Sequence, residues 1–278
     1  MTEQQLPQEI AVTAVVDVTP RLRRVTFGGP GAAVYLAEPH REPNVKLFFP
    51  DPAGGAFDLP KRAFGRYVWK AGARERVRTF TIRGIDDAAG TFDVEFVLHG
   101  GGVAGSWAAS AAIGSTIGVL SGGGNLIGDA SWKLLVGDET ALPAIASMIE
   151  GFDAEQRGIA LIEVADAAEE QPFATPEGFE VRWLHRDGGD SADVSLLADA
   201  VELLDLPTAT ESVRVWVGAE SETVKAIRTH LRLGIGFDRR EQLVIGYWSR
   251  GLDETAYAAG SRNDRAHDEL DEELSHEI

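Results

Sequence analysis

Residues 132–152 read WKLLVGDETALPAIASMIEGF, an apolar strand pattern followed by a short polar turn and a helix pattern. The run 132–138 is mostly apolar and predicts a buried strand. Residues 141–152 predict a helix, and Asp138, Glu139 and Thr140 before them suit a helix N-terminus. A strand that leads directly into a helix is the repeating unit of a parallel α/β sheet.

The same alternation continues through the second half of the chain. Strand patterns cover 158–166, 179–186, 212–220 and 242–248, and helix patterns cover 195–206 and 221–233. Strands that are apolar along their whole length favour a mostly parallel sheet with helices on both faces. We therefore predict a Rossmann-like α/β domain over residues 126–251.

The first half of the chain carries strand patterns with almost no helical period. They cover 9–18, 22–28, 44–50, 77–85, 91–99 and 115–120, and the segment around Phe92 alternates apolar and acidic residues. Strands at this spacing, joined by Gly, Pro and Asp turns, predict an antiparallel β-barrel over residues 1–125. The glycine-rich stretch SGGGNLIGDA (121–130) marks the boundary between the two domains.

The charge of the chain is unevenly distributed. The 278 residues carry a formal net charge of −18, which argues against nucleic-acid binding because phosphate neutralisation needs a basic surface. Residues 252–278 hold nine acidic side chains against two arginines and predict an acidic tail, either disordered or weakly helical over 264–275. Residues 61–83 hold eight basic side chains against one glutamate, which favours contact with an anion.

The composition also excludes several kinds of site. The chain contains no cysteine, which rules out disulfides, thiolate metal sites and a cysteine nucleophile, so redox chemistry must come from a bound cofactor. The six histidines show no paired spacing, and we expect no metal site. The start, MTEQQLPQEI, has no signal-peptide pattern and no long apolar run follows, so we expect a cytoplasmic protein without membrane insertion.

The segment 78–83, RTFTIR, combines the residue types that a flavin site needs. A flavin dinucleotide requires a cation for its pyrophosphate, an aromatic plane for its ring and a hydroxyl near that ring. On a strand, Phe80 faces one side while Thr79 and Thr81 face the other. The same hexapeptide would also suit an ordinary edge strand.

Three further segments follow predicted strands. HGGGVAGSWA (99–108) combines a glycine-rich loop with a helix start, which fits a pyrophosphate, although a flexible turn is the alternative. GDET (137–140) lies where open sheets bind nucleotides, although helix capping explains it equally well. VGAE (217–220) and GYWSRG (246–251) end the last two strands. The aromatic pair Tyr247 and Trp248 in the second segment suits either a cofactor face or a core.

Together and in this order, these segments resemble the siderophore-interacting protein family, the FAD-containing ferric-siderophore reductases. The resemblance extends to about Gly251 and rests on VKLFFP, R-x-F-T-x-R, HG-x-G-x-A-x-x-WA, GDETALPAI, IEVAD, WLHR, WVGAE and GYW-x-x-G. It implies an FAD-binding barrel, an NAD(P)-binding-type domain and reduction of siderophore-bound Fe(III) to Fe(II). Phe80 and Val103 depart from the tyrosine and proline that are common in the family.

The resemblance implies cofactor contacts residue by residue. The positions that match the family's flavin motifs, with their flanking residues, are Arg78, Phe80, Thr81, Ile82, Arg83, His99, Gly100, Gly102, Val103, Ala104, Ser106, Trp107, Asp138, Glu139, Thr140 and Trp248. Electron transfer through a flavin needs no protein acid or base, so no catalytic side chain is assigned.

The substrate and the electron donor are expectations of a different kind. We expect an anionic ferric siderophore to meet Lys46, Arg66 and Arg250. Asp166 and Glu220 are the candidates for binding a nicotinamide nucleotide, and an acidic side chain after strand 158–166 favours NADH over NADPH. A ferredoxin is an alternative donor, and a monomer is expected.

The alternative functions are a flavin- or ferredoxin-type NAD(P)H reductase with another acceptor, and a non-catalytic siderophore-binding protein.

Overall fold

The computed structural model describes residues 6–37, 43–51, 59–63, 66–99, 101–124, 127–207, 212–252 and 256–257, and for residues 62, 63, 66 and 67 only the backbone. The chain forms two compact units, Met1–Leu126 and Ile127–Ile278. Most of the predicted acidic tail lies outside the described residues.

The first unit is built on a seven-stranded antiparallel sheet with the strand order β6-β3-β9-β1-β2-β8-β7. A separate hairpin pairs β4 with β5. The elements of this unit are β1 (Gln8–Thr19), β2 (Leu22–Gly28), α1 (Pro30–Leu36), β3 (Asn44–Phe48), β4 (Lys61–Ala63), β5 (Arg66–Val68), β6 (Val77–Thr81), β7 (Gly84–Asp86), β8 (Thr91–Val97), α2 (Val103–Ser110) and β9 (Thr116–Gly123).

The alternating pattern of β8 explains how this sheet buries its core. Phe92, Val94 and Phe96 are at most 1% exposed and share one cluster with residues of β2 and β3. Helix α1 was not predicted from the sequence, because its apolar residues are too few to show a period. Gly29 at φ 93° and Pro30 at the first helical position start it, the combination that suits a helix N-terminus.

The predicted strand 77–85 is two strands, β6 and β7. β6 pairs with β3 and ends at Thr81. The chain then changes partner, because the N–H of Ile82 donates to Pro43 O at 2.9 Å and the N–H of Arg83 donates to Asp93 O at 2.8 Å. β6 is therefore an edge strand beside β3, and the residues that follow it, Ile82 and Arg83, lead the chain across to β8.

The second unit is a five-stranded parallel sheet with the order β12-β11-β10-β13-β14. Its elements are β10 (Trp132–Gly137), α3 (Leu142–Glu150), β11 (Arg157–Val164), β12 (Phe179–His185), α4 (Ser195–Glu202), β13 (Val213–Glu220), α5 (Ser221–Thr229) and β14 (Gln242–Trp248). The strand order reverses at β10, and such sheets bind ligands at the carboxyl ends of the strands beside the reversal.

The predicted fold class, an antiparallel barrel-like sheet followed by a Rossmann-like α/β sheet, is confirmed. Both halves largely follow the periodicity of the sequence, because most apolar residues of the strands are buried; Val16, Val68 and Ile85 are the exposed large apolar residues among the described strands. No helix in the described part of the chain is long and apolar enough to cross a membrane.

Candidate functional site

Phe80 and the start of α2 meet on one aromatic cluster in the first unit. The ring of Phe80 lies 4.6 Å from that of Phe96 and 6.2 Å from that of Phe49. Trp107 of α2 packs on the same two rings, at 5.8 Å and 5.5 Å. Phe80 of β6 and Trp107 of α2 therefore pack against the same two rings. Phe80 is half-buried, so its ring keeps part of its surface open.

The opposite face of β6 carries hydroxyl groups and an ammonium. Thr79 pairs with Lys46 and Thr81 pairs with Asn44 across the β3 ladder. Lys46 Nζ donates to Thr79 Oγ1 at 3.2 Å, and Thr81 Oγ1 donates to Asn44 Oδ1 at 3.5 Å. None of the acidic side chains in the described ranges forms an ion pair with Lys46. Its charge is therefore not neutralised within this group.

The two arginines of the RTFTIR motif have different surroundings. Arg78 donates to the carbonyls of Glu75 and Val77, each at 2.8 Å. Arg83 is only 10% exposed, and its Nε lies 3.7 Å from Glu95 Oε1. Arg24 donates to that same buried oxygen through Nε at 3.0 Å and Nη2 at 2.5 Å. A buried carboxylate on the face of β8 opposite Phe92, Val94 and Phe96 therefore positions two guanidinium groups.

The loop before α2 presents a helix N-terminus. Gly102 caps the helix at φ 75° without a side-chain hydrogen bond, and the first N–H groups of a helix have no intrahelical partner. The N–H of Gly101 donates to His99 O at 2.7 Å, and a Cβ on Gly105 would approach that oxygen to 3.3 Å. The backbone here is compact, open at its N–H end and suited to an anion.

The remaining residues of these two motifs lie closer to the core. Ile82 is 7% exposed and belongs to the core cluster, against which Val103 and Ala104 pack. The N–H of Ser106 donates to Gly102 O at 3.3 Å within the first helical turn. Gly100 lies outside the described residues.

In the second unit, Asp138 follows β10 at the point where the strand order reverses. It is 3% exposed, and its Oδ1 accepts from the N–H and hydroxyl of Thr140 at 2.9 Å and 2.5 Å. Its Oδ2 accepts from Trp248 Nε1 at 2.7 Å and from the N–H of Glu220 at 3.2 Å. Burial, and then the charge of Glu139, raise the pKa of Asp138 to about 6.

Glu220 ends β13 and caps α5. Its Oε2 accepts from the N–H of Glu222 at 2.6 Å, and its Oε1 accepts from the N–H of Arg250 at 3.1 Å. The side chain is 3% exposed. The capping role is plain from these contacts, while the nucleotide-binding role of Glu220 stays a prediction.

Arg186 lies between two carboxylates at the same edge of the sheet. Its Nη1 and Nη2 each donate to Glu139 at 2.6 Å, and Nη1 donates to Glu163 at 3.0 Å. The side chains of Arg186 and Glu163 are 6% and 3% exposed. Burial outweighs the guanidinium and raises the pKa of Glu163 to about 7.

The other predicted binding residues of this unit are each engaged locally. Asp166 is half-buried and accepts from the N–H of Ala168 at 2.9 Å. Arg250 is 58% exposed and pairs with Asp190. Of Arg66, a further candidate in the first unit, the side chain lies outside the described residues.

Glu163 provides a pH-dependent prediction. The folded pKa of Glu163 is about 7, above the ordinary unfolded value of about 4.3. The folded state therefore binds this proton more tightly than the unfolded state does. The resulting stabilisation of the fold is complete below about pH 4.3 and is lost as pH rises through about 7. The slope of unfolding free energy against pH reports how many more protons one state binds than the other. We expect Glu163→Gln to change this slope between roughly pH 5 and 8 by an amount that corresponds to up to about one bound proton. Urea unfolding at several pH values measures it.

Glu180→Gln is the matched control for that experiment. Glu180 is exposed and its pKa is lowered by the hydrogen bond from Arg182, so its contribution is lost only as pH falls through the acid range. The slope near neutral pH should therefore stay that of the parent protein. Equal slopes in all three proteins would contradict the assignment to Glu163.

Sequence reasoning missed Glu95 and Glu163 as parts of these sites. Glu163 is the one charged residue in the run GIALIEV, and a charge inside an apolar strand is a signal because burial requires a partner. Glu95 gave no such signal, since it occupies a polar position of an alternating strand. Its ion-pair partners are Arg24, 71 residues earlier, and Arg83 on the chain segment before β8.

The chain matches two family models, the siderophore-interacting FAD-binding domain over residues 11–126 and siderophore-interacting protein over residues 130–251. It is 33% identical over 260 residues to the ferric vibriobactin reductase ViuB of Vibrio cholerae, covering 92% of this chain and 93% of that protein. It is 26% identical over 246 residues to the NADPH-dependent ferric-chelate reductase of Escherichia coli, covering 87% and 92%. A siderophore utilization protein from T. fusca superposes with a TM-score of 0.80 at 38% identity, covering 90% and 96%. The chain belongs to the siderophore-interacting protein family.

Proposed function

We propose that this protein is an FAD-dependent reductase that converts Fe(III) in a ferric siderophore to Fe(II). The observation that carries the proposal is the aromatic cluster that joins β6 to α2, because it brings a flavin-type strand and an anion-type helix start together. The ferric vibriobactin reductase of Vibrio cholerae supports the reaction class through its similarity along nearly the whole chain.

The residues of the first unit fit FAD. Phe80 offers an aromatic face, Thr81 offers a hydroxyl, and the start of α2 at Gly102 offers N–H groups for a pyrophosphate. Arg78 and Arg83 supply positive charge beside this strand. When bound, FAD supplies the means of accepting two electrons together and passing them on singly.

The fate of iron follows from its coordination chemistry. Hard oxygen ligands of the kind that siderophores use bind Fe(III) far more strongly than Fe(II). One hydride carries two electrons, so each NADH or NADPH consumed reduces two ferric ions. The protein then needs only to orient the cofactor and hold an anionic chelate near it, which is why no acid or base is assigned.

Lys46 is our candidate for attracting the chelate from the first unit. Its ammonium contacts a hydroxyl and no carboxylate within the described ranges, so it retains its field for an anion. Arg250 is the candidate in the second unit, although Asp190 pairs with it and offsets part of its charge. Removing either cation and removing the carboxylate of Asp190 should therefore have opposite effects on the KM for an anionic chelate.

We expect Lys46→Ala and Arg250→Ala each to raise KM for an anionic ferric siderophore by about threefold to tenfold, because a charge contact is lost. Asp190→Asn should lower that KM, since it leaves the Arg250 charge unpaired. Steady-state kinetics at low and high salt measure the effect, which salt should reduce. Lys225→Ala, an exposed lysine paired with Glu222, is the control. An unchanged KM in both alanine variants would contradict the assignment.

NADH is the donor that we propose. Asp166 follows β11 with a carboxylate that suits a ribose diol. Arg186, a cation on the next strand's end, already forms ion pairs with Glu139 and Glu163. A 2′-phosphate would need such a cation. The relative from Escherichia coli is named NADPH-dependent, so both coenzymes have to be compared.

Anaerobic bleaching of the visible flavin band tests cofactor and donor together. The purified protein should be yellow, and NADH should bleach it faster than NADPH or a reduced ferredoxin. A colourless protein that binds no added FAD would favour a non-catalytic siderophore-binding role. Bleaching by ferredoxin alone would overturn the nicotinamide assignment and leave the flavin assignment in place.

A further inference from the structure

The carboxylate of Asp138 joins three loops at the carboxyl edge of the parallel sheet. Thr140 belongs to the turn after β10, Glu220 to the turn after β13 and Trp248 to the end of β14, and all three donate hydrogen bonds to it. Every partner is a donor, so both carboxylate oxygens must act as acceptors. At 3% exposure, Asp138 itself is poorly placed to touch a ligand.

Glu220 holds the same segment at a second point. It accepts from the main-chain N–H of Arg250 at 3.1 Å, while Asp138 accepts from the indole of Trp248 at 2.7 Å. Ser249 between them is 3% exposed and forms a bridge with Leu252. Residues 248–250 are therefore attached to the sheet by two buried carboxylates, one through a side chain and one through the main chain.

We propose that Asp138 is a positioning residue for this segment: it fixes the indole of Trp248 so that Arg250 is presented to the anionic substrate from a rigid backbone. The inference rests on the proposed function, in which Arg250 meets the ferric siderophore. It gives Asp138 a role through Trp248 and Arg250 rather than a direct contact with a cofactor.

The chemistry of the site distinguishes a carboxylate from its amide. Asparagine can keep its oxygen toward Trp248 and Glu220 only by turning its NH₂ group toward Thr140, whose N–H then faces a second donor while its hydroxyl can accept. In either orientation at least one hydrogen bond is lost, and those that remain no longer have a charged acceptor. Protonation of the Asp138 carboxylate would likewise remove its negative charge and turn one acceptor oxygen into a donor. The charged groups around Asp138 are Glu139 in its own turn, Glu163 from β11, Glu220 from β13 and Arg186, which pairs with the first two. With a pKa of about 6, the carboxylate is ionised at neutral pH.

The contact can be read directly from the indole N–H of Trp248. In the full-length protein with its cofactor, labelled with ¹⁵N-tryptophan, Trp248→Phe identifies the signal by its disappearance. We expect this signal to titrate with a midpoint near pH 6 in the parent protein. In Asp138→Asn it should shift upfield and no longer titrate, because the charge-assisted hydrogen bond is gone.

Kinetics test the functional consequence. Asp138→Asn should raise KM for an anionic ferric siderophore by about threefold and by no more than Arg250→Ala does, because it acts on the substrate only through Arg250, with a smaller change in kcat. Trp248→Phe keeps a ring at a half-buried position and should raise the same KM even if Asp138→Asn folds poorly.

Asp193→Asn is the matched control. Asp193 accepts from the N–H and hydroxyl of Ser195 at 3.0 Å and 2.7 Å, the same local pattern as Asp138 with Thr140, but at an exposed position. It should change neither the Trp248 signal nor KM. An indole signal unaltered by Asp138→Asn, or an unchanged KM in both Asp138→Asn and Trp248→Phe, would overturn the proposal. Absence of ferric reduction by the parent protein would instead overturn the proposed function, and the indole signal would still report the contact.

Discussion

The Gly102→Val variant is expected to bind FAD about tenfold to a hundredfold more weakly than the parent protein, because a displaced helix start would lose hydrogen bonds to the charged pyrophosphate that are worth roughly 1.5–3 kcal/mol each. Gly102 caps α2 at φ 75°, a region that branched residues rarely adopt. Relieving the strain would move the N–H groups that we propose for the pyrophosphate. Titration of the apoprotein with FAD, followed by flavin fluorescence, measures the loss.

Gly29 provides a control in the same unit. It also caps a helix, α1, at φ 93° without a side-chain hydrogen bond, and a Cβ there meets nothing within 4 Å. Gly29→Val should therefore reduce stability through the same strain and leave FAD affinity unchanged. Equal losses of FAD affinity in the two variants would mean that the effect is general destabilisation and that the start of α2 is not part of the flavin site.

Arg186→Met is expected to destabilise the second unit by up to about 3–5 kcal/mol, the typical cost of leaving buried charges without their partner, with the full effect above pH 7, where Glu163 is ionised. Both Glu139 and Glu163 would lose the same guanidinium, and Glu163 is almost fully buried. For a unit of this size the loss corresponds to a fall in Tm of roughly 10 °C. Thermal unfolding followed by tryptophan fluorescence measures it.

Arg182→Met separates burial from charge. Arg182 lies on β12, the strand that Arg186 follows directly, and it pairs with Glu180, but both side chains are at least half exposed. Exposed pairs contribute about 0–1 kcal/mol, so the variant should melt within a few degrees of the parent protein. A small effect at Arg186, comparable to that at Arg182, would contradict the view that this cluster is a structural part of the sheet edge.

Much of the fold could be predicted because burial follows local periodicity. The alternation around Phe92 indicates a strand with one apolar face, the apolar run before Asp138 indicates a strand buried on both faces, and the structure has the strands where those patterns are. Helix α1 lacked such a pattern. The division of 77–85 into β6 and β7 depends on partners outside the segment, the distant Pro43 and Asp93 of the following strand, so no pattern within 77–85 could indicate it.

For the candidate site, the sequence indicates residue types but not contacts. The motifs around Phe80 and Gly102 predict the flavin-type segments, because the chemistry of a dinucleotide restricts which residues can meet it, and that assignment stays a prediction. The contacts that Asp138 makes with Trp248 and Glu220 join residues that are about 80 or more positions apart in sequence and depend on the order of strands in the sheet. Only the structure reveals them.

Iron release is the most direct test of the central claim. The protein with FAD bound is mixed under anaerobic conditions with NADH, a ferric siderophore and ferrozine, which traps Fe(II) as a coloured complex. We predict that Fe(II) forms at two ions for each NADH oxidised, and that omitting either the protein or NADH abolishes it. Oxidation of NADH and bleaching of the flavin without any trapped Fe(II), across several ferric siderophores, would contradict the account.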